Sequence, residues 1–149
     1  EIPLRLVGSE MCIRDSGFPG EDTVVEVDGH IGHGAVLHGC RIRRNAMVGM
    51  NAVVMDKAVV GEESIVAAMS FVKAGMIIPP RSMVMGTPAK VMRALTDADV
   101  QWKSFGTRQY HELNIRSLQT MREVEALPEP EPGRKGIEFD PEGRHKPKA

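Results

Sequence analysis

The amino-acid sequence predicts an all-β fold, a coiled parallel β-helix over residues 17–92, followed by a C-terminal α-helix over 93–125 and a polar tail over 126–149. Three observations carry the prediction. Aliphatic residues recur every six positions at Ile42, Val48, Val54, Val60, Val66, Val72, Ile78 and Val84. Four residues after these anchors stand Ala46, Ala52, Ala58, Ser64, Ser70 and Ser82, a series of small side chains interrupted by Met76. Neither the 3.6-residue period of a helix nor the two-residue alternation of a half-buried strand holds one residue class in phase for so long.

Taken in chain order, residues 6–16 (Leu-Val-Gly-Ser-Glu-Met-Cys-Ile-Arg-Asp-Ser) have no anchor in phase and resemble translated sequencing-adapter sequence. Residues 1–16 are therefore expected to be a non-native segment, with the native chain starting near Gly17 and its first coils missing; the competing reading is an irregular native N-terminus. Ile31 and Leu37 extend the anchors backwards, with Ala35 in the small phase and one five-residue step between Leu37 and Ile42. Each hexapeptide gives a short strand and a turn. Three of them close a triangular coil, and coils stack about 4.8 Å apart through parallel ladders. Gly86-Thr87-Pro88-Ala89-Lys90 breaks the pattern and reads as a turn leading into the helix. Thr96-Asp97-Ala98-Asp99 reads as an N-cap with an acidic first turn. Val100, Tyr110, Leu113, Leu118 and Met121 follow near helical spacing, with Gly106 a point of interruption. Five of the ten prolines fall from Pro128 onward among Glu, Lys and Arg, which suits an extended or disordered tail.

With 149 residues, a net charge of −1 and 42% hydrophobic residues, the chain suits one domain. No basic stripe interleaved with aromatics is present, which argues against nucleic acid as a partner. No apolar run approaches the roughly 20 residues of a membrane span, and no signal-peptide order is visible, so a cytoplasmic protein is expected. Cys12 and Cys40 form no CxxC and support neither a disulfide framework nor a thiolate zinc site.

The main chemical signal is the crowding of His30, His33 and His38 in Gly-His-Ile-Gly-His-Gly-Ala-Val-Leu-His-Gly-Cys. On the repeat phase His33 lies two residues after Ile31 and His38 one after Leu37, so both point outward from adjacent sides of the triangle. One chain cannot easily aim both at one metal, whereas a threefold assembly can bring them together across each interface. The competing reading is that they are plain surface residues on repeat turns.

The segment from Gly17 onward resembles the hexapeptide-repeat proteins of the γ-class carbonic anhydrase-like family, in particular those of phenylacetic acid degradation and the carnitine operon. The resemblance rests on residues 28–40, 48–56 (Val-Gly-Met-Asn-Ala-Val-Val-Met-Asp), 61–67 (Gly-Glu-Glu-Ser-Ile-Val-Ala) and 86–90. Residues 102–110 and 131–140 resemble the phenylacetate proteins in particular. The resemblance implies a left-handed coil, a homotrimer, and zinc or another divalent metal bound by His33 and His38. It excludes His30 as a ligand. The third ligand is expected at position 16, where this sequence has Ser16 before Gly17-Phe18-Pro19, so this chain is expected to bind zinc weakly or not at all. The implied activity is hydrolysis of an acyl-CoA substrate by a zinc-dependent thioesterase of phenylacetate catabolism. Carbonic anhydrase-like CO₂ hydration, a non-catalytic trimeric or CoA-binding protein, and an acyltransferase are the alternatives.

Other residues read more simply. Cys40 could be a nucleophile but suits a small apolar position beside the core. Glu62 and Glu63 could act as acid or base but suit a solvated turn. The turn at 86–90 resembles one that acyltransferases place near coenzyme A. Met47, Met50, Met55, Met69, Met76, Met83 and Met85 read as filler for irregular core or trimer contacts, some of which could line an acyl pocket.

Overall fold

The computed structural model describes residues 22–125 together with Glu129 and Gly133. Segment 1–21, which includes Ser16, and most of the expected tail lie outside the described residues.

Ten two-residue strands follow one another: β1 (Val24–Val25), β2 (His30–Ile31), β3 (Val36–Leu37), β4 (Arg41–Ile42), β5 (Met47–Val48), β6 (Val53–Val54), β7 (Val59–Val60), β8 (Ile65–Val66), β9 (Phe71–Val72) and β10 (Ile77–Ile78). The longer β11 (Ser82–Gly86) and β12 (Ala89–Ala94) and the helix α1 (Asp97–Thr120) complete the order. Every third strand pairs in parallel, giving three faces: β1-β4-β7-β10, β2-β5-β8-β11 and β3-β6-β9. This is the β-helix expected from the six-residue spacing. In each short strand from β2 to β10 the second residue is the anchor and is buried. The small-phase residues Ala35, Ala46, Ala52, Ala58, Ser64, Ser70 and Ser82 are buried too. Ser64 spans two coils inside the wall: its Oγ donates to Pro79 O at 2.7 Å and accepts from Ser82 N at 3.0 Å.

The corners show a regularity the anchors alone do not reveal. Three residues after nearly every anchor, the backbone takes a positive φ, at Gly34, Asn45, Asn51, Lys57, Glu63, Met69, Gly75 and Arg81. A reversal that tight needs the left-handed region, which costs an L-residue and not glycine. The corners are also bonded between coils: Asn51 N–H donates to His33 O and Met69 N–H to Met50 O, both at 2.9 Å.

Coil length is 18 residues, as in Val53↔Phe71 and Val59↔Ile77, but 17 in Val36↔Val53 and Val24↔Arg41. The shorter repeat is the five-residue step between Leu37 and Ile42, closed by Gly39 at φ 52.

Residues 86–90 do not lead into the helix as expected. They close an antiparallel hairpin between β11 and β12 that caps the end of the coil, and β12 runs on to Ala94 before α1 begins. Thr96 caps α1 in a full capping box with Asp99, as the sequence predicts, and Gly106 does not interrupt it. The side that α1 buries, however, is polar: Asp99, Lys103 and Thr107, four residues apart. Tyr110, Leu113, Leu118 and Met121, expected to form its packing stripe, are exposed. The reason lies in the surface on which α1 sits, a corner column and strand edge made of Asp28, Asn45 and His30. Lys103 Nζ donates to Asp28 O and Asn45 Oδ1, both at 2.6 Å, and Asn45 Nδ2 donates to Ser104 Oγ at 3.0 Å. Among the described residues no helix is long and apolar enough to cross a membrane.

Candidate functional site

The coil places His33 in the turn between β2 and β3 and His38 directly after β3, at opposite ends of one short strand. His33 is exposed and His38 half-buried. Both therefore stand outside the core, at different corners, as the repeat phase predicts. Between them the outward residues of that face, Val36, Val53 and Phe71, form a half-buried apolar strip running up the stack. Among the described residues no three His, Cys, Asp or Glu side chains gather into a group able to hold a metal within one chain.

Sequence reasoning missed a partner of His38. Its Nδ1–H donates to Asp56 Oδ1 at 2.6 Å, both side chains being largely shielded from solvent. Asp56 follows His38 by 18 residues, one coil along, and that spacing was the available signal.

His30 has a different task. It lies on β2 beneath α1, where its Nδ1 meets Thr107 Oγ1 at 3.3 Å and its ring meets Tyr110 edge to face at 5.3 Å. The Thr107 hydroxyl donates its single proton to Lys103 O, so His30 Nδ1–H is the donor of that pair. Burial pushes the His30 imidazole below its ordinary pKa of 6.5, with Lys103, His33 and His111 adding like charge. Burial likewise depresses the Lys103 ammonium to about 8, Asp28 and Glu63 opposing the shift. Nε2 of His111 is buried with no hydrogen-bond partner among the described residues. This cluster fastens the helix to the coil.

The weaker candidates resolve as structure. Cys40 is 2% exposed and part of the core, which removes a nucleophile's access to substrate. Glu62 pairs with Arg44, and Glu63 lies 3.8 Å from Arg81, which also pairs with Asp97. These are solvated ion pairs worth little individually. Met76 packs against the core, but Met50, Met69 and Met85 are exposed, so those three do not fill it.

Comparison with known proteins agrees with this architecture. Residues 39–74 match the family described as bacterial transferase hexapeptide (six repeats). The chain is 50% identical over 118 residues to the carnitine operon protein CaiE of Proteus sp., covering 79% of this chain and 60% of that protein. It is 51% identical over 123 residues to CaiE of Salmonella typhimurium, covering 83% and 62%. The chain thus spans about three fifths of the length of these relatives. Among solved structures, a hexapeptide transferase family protein from Anaplasma phagocytophilum superposes with a TM-score of 0.62 at 36% identity, over 64% of this chain and 57% of that one. A putative acetyltransferase from Bacillus cereus superposes with a TM-score of 0.59 at 38% identity, over 62% and 55%.

Proposed function

From the premise that this chain is a hexapeptide-repeat protein related to the carnitine operon proteins CaiE, we propose that it belongs to a metal-dependent hydrolase of acyl-CoA thioesters that works as a threefold assembly. The observation that carries this reading is the placement of His33 and His38 at opposite ends of β3, both facing away from their own core. One chain cannot turn both toward one ion. A threefold arrangement sets His33 of one copy against His38 of the next.

The donors fit a divalent metal such as zinc in kind, since imidazole nitrogen is one of its preferred ligands. In number they fall short by the third ligand, expected at position 16, which is Ser in this sequence and lies outside the described residues. A metal held by these histidines would supply Lewis-acid chemistry, lowering the pKa of a bound water and polarising a thioester carbonyl. The chain contributes orientation and shielding. Asp56 accepts a hydrogen bond from His38 Nδ1–H and so orients the ring, while Val36, Val53 and Phe71 give the adjoining face an apolar surface for a neighbouring copy.

A second reading, a CoA-dependent acyltransferase, is favoured by the likeness to hexapeptide transferases. Zinc content per chain, measured by elemental analysis for the sequence as it stands and for Ser16→His, separates the two when followed by an aryl-acetyl-CoA hydrolysis assay. The hydrolase reading expects zinc and chelator-sensitive thioester cleavage to appear with Ser16→His. Acyl transfer to an acceptor that survives chelation would replace it with the transferase. Hydration of CO₂ without thioester cleavage would point to a carbonic anhydrase.

A further inference from the structure

We infer that α1 is an acid-released cover: it lies closed over the β2-β5-β8-β11 face and lifts when His30 beneath it takes up a proton, baring an apolar column of the coil. This does not depend on the hydrolase reading. His30, Met47, Ile65 and Met83 stand in register on those four strands and point out of the coil. Ile65 is nonetheless only 7% exposed, whereas Ile77, at the same outward position of β10 on another face, is 65% exposed. The difference is α1. Its first turn is paired to Arg81 through Asp97, Lys103 reaches Asn45 and Asp28, and Thr107 reaches His30, so the helix descends this face from the capped end to the rung of β2. Helix from Asp97 to Thr107 spans about 15 Å, and the rungs from Arg81 down to Asp28 span about 14 Å, so helix and stack keep step along the whole face.

The seat of this cover is polar and carries one sign of charge. Lys103, Tyr110 and His111 face it from α1 and His30 and His33 from the coil, while the carboxylates of Asp28 and Glu63 act on Lys103. His30 meets a neutral hydroxyl, Thr107 Oγ1, and the Tyr110 ring; the charged groups that act on it, Lys103, His33 and His111, are all basic. Lys103 is itself held by two neutral oxygens, Asp28 O and Asn45 Oδ1. An imidazolium formed under the helix therefore gains no counterion in contact and faces an ammonium, so burial and like charge both keep the docked ring neutral. With α1 lifted the ring is in water and protonates at its ordinary value, so acid draws the helix away and opens Met47, Ile65 and Met83 to solvent.

Amide hydrogen exchange of the full chain between about pH 8 and about pH 5, corrected for the intrinsic exchange rate, tests this. Protection across residues 101–110 should fall by up to about tenfold per pH unit below 6.5, the limit for one proton taken up on opening. Val53 and Val59, whose N–H groups bond Ser70 O and Met76 O inside the coil, should keep theirs. Fluorescence of an apolar dye should rise along the same curve. His30→Gln, uncharged throughout, should flatten both signals. If that variant does not fold, His111→Gln, which removes one like charge and leaves the Thr107 contact, should make the slope shallower. Helix protection that stays flat to about pH 5, a slope unchanged by these substitutions, or loss of protection in helix and coil together overturns the inference.

Discussion

Gly49→Ala measures how closely successive coils touch. A Cβ built on Gly49 would lie 2.4 Å from Ala68 N, 2.7 Å from Ala67 C and 2.9 Å from Ala68 Cα, all backbone atoms of the next coil. Comfortable contact between such atoms is about 3.5 Å, so the coils would have to part locally by about 1 Å. Two coil-to-coil bonds flank the site, Gly49 N–H to Val66 O at 2.8 Å and Met69 N–H to Met50 O at 2.9 Å. Parting by about 1 Å takes both beyond hydrogen-bonding range. Each buried backbone group left unpaired costs about 1–3 kcal/mol, so the substitution should cost about 2–6 kcal/mol. Two other glycines calibrate the result. Gly75 has φ +69 and nothing within 4 Å of a built Cβ, so Gly75→Ala should cost only the left-handed backbone, about 1–2 kcal/mol. Gly106 lies in α1 with open space around it, so Gly106→Ala should stabilise by about 1 kcal/mol. Urea unfolding of the three variants at unchanged slope gives the ranking. If Gly49→Ala costs no more than Gly75→Ala, the coils do not touch backbone to backbone and the reasoning fails.

Met69 adopts φ 59 with its side chain 69% exposed, so Met69→Gly relieves backbone strain while losing little contact, and should raise stability by about 0.5–1 kcal/mol in the same assay. Acid should loosen α1 in two stages, followed by the emission of the single Trp102. Because the folded His30 titrates below 6.5, the undocked state takes up the proton first and docking weakens as pH falls through about 6.5; His30→Gln should flatten this stage. The Arg93 guanidinium, with Thr96, holds the Asp99 carboxyl well below its ordinary 3.8. Its contribution is therefore intact above that pH and lost as pH falls below it, a stage Asp99→Asn should remove. An emission profile flat from neutral pH to below 3.8 would show that these groups do not hold the helix.

The coil was readable because burial in a β-helix is one-dimensional: each anchor from Ile31 to Val84 faces the same axis, so one phase reports the whole core. The Thr96 cap was readable for a similar reason, since capping is local. The packing face of α1 was not. Hydrophobic spacing picked out Tyr110, Leu113, Leu118 and Met121, while the surface beneath the helix is made of Asp28, Asn45 and His30 and selects Lys103 and Thr107 by hydrogen bonding. A helix that docks through polar groups leaves no periodic apolar trace. Asp56 was overlooked for another reason: it is distant from His38 along the chain and adjacent only when the sequence is wrapped at the coil length. The left-handed corners carried a partial signal in Gly34, Asn45, Asn51 and Gly75, blurred by Lys57, Glu63, Met69 and Arg81, which adopt the same conformation without the usual residue type.

The fixed repeat also gives the chain something like a reading frame. Removing 18 contiguous residues from the stack, for instance 45–62, would bring each remaining strand under a strand of the same face, while removing one would turn inward side chains outward along everything that follows. A change of length is therefore absorbed only where a corner can shorten without disturbing the strands around it. The step between Leu37 and Ile42 is such a place, because Gly39 can close it. Evolution of a stack like this is expected to proceed in whole rungs, with single-residue changes gathering at corners, where they alter which side chains of neighbouring rungs meet and leave the core as it was.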